Sequence, residues 1–149
     1  MHTDPTLARL RRALFVVLGG GYVGISAELL LTGHYEDVLQ LVPLAISVVS
    51  LVALAWYGAG GRAGSLRMLR AMMYLSLASG GIGAILHYRG NTEFELERAP
   101  DLSGFALFRE AMTGATPALA PGTMILLGAI GLLATYRHPA LAAKNPAAA

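Results

Sequence analysis

The chain has 149 residues, of which 55% are hydrophobic and only 13% charged, where a soluble domain carries about 25% charge. That shortage points to lipid as the solvent, and a net charge of +2 is too small to argue for a nucleic-acid partner. With no cysteine in the sequence, disulfides, thiolate metal sites and cysteine nucleophiles are excluded.

Four apolar runs follow one another, and each reads as a transmembrane helix, which needs about 20 mostly apolar residues. The first covers about 13–33 (ALFVVLGGGYVGISAELLLTG) and follows the basic stretch RLRR. Cleavage after Ala27, as in a signal peptide, is disfavoured because Ile25 is a poor upstream residue and the apolar run continues through Leu29, Leu30 and Leu31. Within this run Gly20, Gly24 and Glu28 share a face at four-residue spacing. Glycines so placed let another helix approach closely, so Glu28 is expected to point toward a partner helix and away from lipid. An ionisable group at membrane depth is costly and commonly functional.

Residues 34–37 make a tight turn into the second run, about 38–57, where Gln40, Pro43, Ser47 and Ser50 form one polar stripe. A basic, glycine-rich loop is expected at 58–70 (GAGGRAGSLRMLR). The third run, about 71–88, carries Ser76, Gly80, Gly83, Ala84 and His87 on one face. The segment 89–119 reads as a long loop, in which Leu102, Phe105, Phe108 and Met112 recur at near-helical spacing and predict a short amphipathic helix at the interface. The fourth run, about 120–136, places Met124, Gly128, Gly131 and Thr135 on one face. The remainder, 139–149, has no periodicity and is expected to be disordered.

These readings give an all-α, polytopic membrane protein: a single domain over 1–138, built as a four-transmembrane-helix bundle. Orientation follows from the basic residues. Arg9, Arg11, Arg12, Arg62, Arg67, Arg70, Arg137 and Lys144 fall on the side of the termini, whereas Glu36, Asp37, Glu93, Glu95, Glu97, Asp101 and Glu110 fall on the other. Both termini are therefore expected in the cytoplasm, with the chain in an inner (plasma) membrane. Its Gly-, Ala-, Arg- and Leu-rich usage points to a bacterial one. Besides the lipid bilayer, the expected partners are further copies of the chain or the other subunits of a membrane complex.

The first and third runs end alike, in His34-Tyr35 followed by Glu36 and Asp37, and in His87-Tyr88 followed by Glu93 and Glu95. Both runs travel in the same direction, and each return helix begins near a proline, Pro43 or Pro121, so the halves look like a weak parallel repeat. Tyrosine at a helix end is ordinary interfacial chemistry. Two imidazoles and several carboxylates converging on one side, however, form a candidate site for a divalent transition metal, with His34, His87, Glu36, Asp37, Glu93 and Glu95 as ligands. Axial ligation of haem by the two histidines is a second reading. Glu28, Gln40, Tyr35 and Tyr88 are candidates for a ligand or proton path. Glu28 lies six residues before His34, about 9 Å deeper at 1.5 Å per residue.

No nucleophile elbow, P-loop or dinucleotide fingerprint is present, and GGGYVG sits inside an apolar run with no strand before it. The chain thus reads as a binding or accessory protein rather than an enzyme, its outer face engaging a cation, cofactor or partner complex. The alternatives are a small oligomeric proton-coupled transporter using Glu28 and Gln40, and a metal- or haem-dependent redox protein using His34 and His87.

Overall fold

The computed structural model describes residues 4–60, 63–114, 116 and 121–142. Six helices follow in order: α1 (Pro5–Leu31), α2 (Val38–Gly60), α3 (Ala63–Arg98), α4 (Gly104–Met112), α5 (Gly122–Thr135) and α6 (Pro139–Ala142), with no strand among the described residues. The first three are long and apolar enough to cross a membrane, the character of an integral membrane protein. α5 is apolar but only 14 residues long.

The helices outrun the apolar stretches that announce them. α1 begins at Pro5, ahead of the apolar run, because Asp4 caps it: its carboxylate accepts from the Thr6 N–H at 2.8 Å, and Pro5 needs no partner at the first position. α3 has 36 residues, about 54 Å of helix against a hydrocarbon core of about 30 Å. It absorbs 63–70, expected as loop, and also 89–98 from the expected long loop. Hydropathy reports the thickness of the solvent, whereas a helix continues until its backbone meets a stop. The amphipathic helix expected within 89–119 is α4. Part of the expected tail, 139–142, forms the turn α6, and 143–149 lie outside the described residues.

One core joins four of the helices. Leu18, Tyr22 and Ile25 of α1 meet Ile46 and Ala53 of α2, Leu69 and Met73 of α3, and Met124 and Leu127 of α5. Across its centre the Tyr22 hydroxyl lies 2.6 Å from Ser76 Oγ, tying α1 to α3. Of the polar stripe of α2, Ser47 and Ser50 are buried as expected; they turn their hydroxyls back onto the Pro43 and Ile46 carbonyls at 2.7 Å, so neither hydroxyl is stranded. α3 and α5 approach closely through glycine. A Cβ on Gly80 would stand 2.7 Å from the Pro121 carbonyl oxygen, and one on Gly128 would stand 2.8 Å from that of Met73. Outside the core, Val16, Val23, Val48, Val52, Leu75, Ile82 and Ile85 point outward, a surface suited to acyl chains.

The α1–α2 turn is built by specific residues. Gly33 takes φ +69°, the left-handed conformation that favours glycine. The His34 N–H donates to the Leu29 carbonyl at 2.8 Å and the Gly33 N–H to Leu30 at 3.3 Å, the paired bonds of a Schellman stop. Asp37 then opens α2, its carboxylate accepting from the Leu39 N–H at 3.2 Å. Gln40 reaches back, its side-chain oxygen accepting from the N–H groups of Glu36 (2.9 Å) and Asp37 (3.3 Å), as the third helical residue does in a capping box.

Candidate functional site

The end of the molecule that holds this turn brings His34 and His87 together. His34 projects from the residue after the Schellman glycine, and His87 from the face of α3 that carries Ser76, Gly80 and Gly83 toward the interior. Their rings stand 6.1 Å apart between centroids, at an interplanar angle of 60°, and both are half-buried. Two imidazoles on one ion have their centres about 3.2 Å from it (a Zn–N bond of about 2.0–2.1 Å plus about 1.1 Å within the ring), and so lie about 5–6.5 Å apart. The observed separation falls inside that interval.

The carboxylates do not join the pair. Among the described residues no three of His, Cys, Asp and Glu are placed to hold one ion. Asp37 is engaged in the α2 cap, and Glu36 and Glu93 are exposed. Glu95 is buried on the α3 extension, where it pairs with Arg98 at 2.7 Å. α3 does not stop at its His-Tyr pair as α1 does, which carries Glu93 and Glu95 along the extension and breaks the likeness between the halves.

The path candidates also separate. Gln40 serves the turn cap. Glu28 is exposed on the outside of α1, as are Gly20 and Gly24. The three do share a face, but α1 packs through the neighbouring face of Leu18, Tyr22 and Ile25, so the expectation that Glu28 points into the bundle is corrected. Tyr35 is exposed, whereas the Tyr88 ring packs at a tilt of 47° beside Phe108 of α4, with ring centroids 6.0 Å apart.

Beyond His87 a single residue organises the loop. Asn91 is 2% exposed. Its Nδ2 donates to the Ala111 carbonyl (2.8 Å) and the Thr116 carbonyl (2.6 Å), and its Oδ1 accepts from the Thr116 N–H (3.1 Å) and hydroxyl (2.6 Å). All of the amide's donors and acceptors are thereby used. α4 is thus clamped to the α3 extension above the histidine pair. Sequence reasoning missed this clamp; an isolated Asn beyond an apolar run was the available signal.

A second polar cluster occupies the opposite end, where α1 begins and α5 stops. Arg11 Nη2 donates to the carbonyls of Tyr136 (3.0 Å) and Arg137 (3.2 Å) at the end of α5, a cation on a helix C-terminus. Arg137 itself holds φ +44°, a left-handed conformation uncommon outside glycine. Next to it, His138 Nε2 lies 2.9 Å from the Tyr57 hydroxyl, and His138 Nδ1 accepts from the Ala140 N–H at 3.2 Å. An Nδ1 that accepts carries no proton, so Nε2 carries it and donates to the Tyr57 oxygen. Burial, reinforced by the nearby Arg11 charge, pushes the His138 pKa below its ordinary value of 6.5 and so favours the neutral ring. In the sequence these basic residues speak only to topology; the fold adds that they cluster.

No protein-family model matches the chain, and neither a curated protein nor a solved structure does, so the functional reading rests on this geometry.

Proposed function

We propose that the chain is a small multi-pass membrane protein of the binding or accessory kind, which captures a divalent transition-metal cation between His34 and His87. The observation that carries this reading is the 6.1 Å separation of the two rings, reached by residues far apart in the sequence, one in the α1–α2 turn and the other on α3. Imidazole suits Zn, Cu and Ni without help from thiolate. A site with two protein donors keeps positions open, and open sites exchange ligands where closed four-ligand sites are structural. This fits capture and hand-over of a cation better than a permanent metal.

In this reading α5 crosses the bilayer with α1, α2 and α3, as the fourth helix of a four-helix bundle. Its described helix spans about 21 Å at 1.5 Å per residue, and local thinning of the bilayer with interfacial residues at the ends accommodates a short span. Tyr136 and Arg137 supply such residues at one end. The basic end faces the cytoplasm by the positive-inside rule, which sets the histidine pair on the outer face of a bacterial inner membrane. The exposed Gly20, Gly24 and Glu28 face of α1 supports assembly into a homo-oligomer, because a second copy would remove a carboxyl from lipid. The same face keeps a transporter reading in view, with Glu28 at the interface between copies.

Calorimetric titration of the purified full chain with Zn²⁺ tests the site. His34→Ala and His87→Ala should each weaken binding at least about tenfold, and the double substitution should cost little more than either single one. Additive losses, or retained affinity, would exclude a shared site. Haem on the same two imidazoles would announce itself as a Soret band that both substitutions abolish.

A further inference from the structure

The end of the molecule opposite the histidine pair carries two cavities that share His138. One, of about 650 Å³, is lined by Arg11, Arg12, Phe15, Val16, Leu54 and Tyr57 among others; the second, of about 520 Å³, by Arg70, Tyr74, Leu132, Tyr136 and Arg137. Among the described residues no carboxylate lines either cavity. In the sequence, Asp4 is the sole acidic side chain within 1–12, 58–74 and 136–149, and it is engaged as the α1 cap. The ion pairs among the described residues, Arg98–Glu95 and Arg109–Glu110, are both at the other end. Four arginines therefore line two adjoining cavities without a counter-charge from the side chains around them.

The hydrogen-bond arrangement leaves donors uncommitted on residues that line these spaces. Arg11 commits one terminal nitrogen to the Tyr136 and Arg137 carbonyls, which leaves the rest of its five-donor fork. Because the Tyr57 oxygen accepts from His138 Nε2, the Tyr57 O–H is released to donate elsewhere. Arg137 is held in the left-handed region, a conformation that costs a non-glycine residue energy and that persists where the surroundings impose it. Its guanidinium lies over the Tyr136 ring, 5.6 Å from the centroid.

We infer that these adjoining cavities bind the phosphate of an anionic phospholipid, gripped by Arg11, Arg12, Arg70 and Arg137 with the Tyr57 hydroxyl. Guanidinium forks match phosphate oxygens in pairs, and basic pockets between helices at a membrane surface are where acidic headgroups settle. The lipid source is chosen over free phosphate because Phe15, Val16 and Leu54 line the same cavity and offer an acyl chain an apolar wall. The inference is independent of the histidine site and of metal binding.

The test uses the purified full chain in a neutral detergent, with thermal stability read against added short-chain lipids. Dioctanoyl phosphatidylglycerol should raise the melting temperature in a saturable way. Dioctanoyl phosphatidylcholine and inorganic phosphate at equal concentration should not. Arg137→Gly keeps the backbone conformation and relieves its strain, so the unliganded protein should melt at the same temperature or higher. It should nevertheless bind phosphatidylglycerol about fivefold more weakly, the weight of one basic residue at a membrane surface, and Arg70→Gln with Arg137→Gly about 25-fold more weakly. Equal stabilisation by phosphatidylcholine, stabilisation by inorganic phosphate alone, or unchanged affinity in Arg137→Gly would each overturn the assignment.

Discussion

Asn91→Ala removes the clamp between the α3 extension and the segment after α4, and its cost can be worked from the contacts. Four hydrogen bonds are lost, two donated by Nδ2 and two accepted by Oδ1. At about 1 kcal/mol net for each the ceiling is about 4 kcal/mol. The real figure is smaller because Thr116 is exposed, so water takes over its hydroxyl, N–H and carbonyl. Ala111, by contrast, is fully buried, and its carbonyl loses the Asn91 bond with no water to replace it. We expect a loss of about 2–3 kcal/mol against opening of the segment. Native-state hydrogen exchange on the Thr116 amide reads this directly, since that N–H is held by Asn91 Oδ1 at 3.1 Å. Its protection should fall roughly 30- to 150-fold, at about 1.4 kcal/mol for each factor of ten, while amides in α1 and α2 keep theirs. Unchanged protection at Thr116, or an equal loss throughout the bundle, would refute the reasoning.

Three further outcomes are expected. Gly80→Ala should lower stability by about 1–3 kcal/mol in a denaturation series, because its methyl would press on the Pro121 and Ile125 backbone at 2.7 and 2.9 Å. Gln40→Ala should cost about 1 kcal/mol by the same measurement, through the turn cap, without abolishing helix content. The depressed pKa of His138 sets a pH dependence. Well above pH 6.5 the ring is neutral in both folded and unfolded chains, and as pH falls toward and below 6.5 the unfolded chain takes up the proton first. Stability should therefore be lost as pH falls below 6.5 and through the lower folded value, and His138→Gln should remove that part of the melting-temperature profile.

The sequence was most informative where side-chain size or polarity determined contact. Ser47 and Ser50 could not face lipid cheaply, and Gly128 lies where α5 meets α3, so these stripes were legible as packing surfaces. The same logic misplaced Glu28. Gly20, Gly24 and Glu28 share a face, but Leu18, Tyr22 and Ile25 also share one, and helical period alone does not say which of the two is packed. The α3 extension past Tyr88 was hidden because residues 89–98 are mostly polar and give no membrane-length apolar signal, yet they continue the helix and carry the Asn91 clamp. His34 and His87 were recognisable as one question from their matching positions. The carboxylates around them were over-counted, since nothing in their spacing reveals that Asp37 caps α2 and Glu95 pairs with Arg98. The cluster around His138 is illegible in the sequence for a different reason: its members come from α1, α2, α3 and the end of α5, and only the folded chain assembles them.

The histidine pair is tested most directly by counting the imidazoles on a bound ion. Pulsed electron paramagnetic resonance of the full chain loaded with one equivalent of Cu²⁺ reports coupled imidazole nitrogens. Two coupled imidazoles in the native chain, falling to one in His34→Ala and one in His87→Ala, is the predicted result. A spectrum that neither substitution changes would contradict the account.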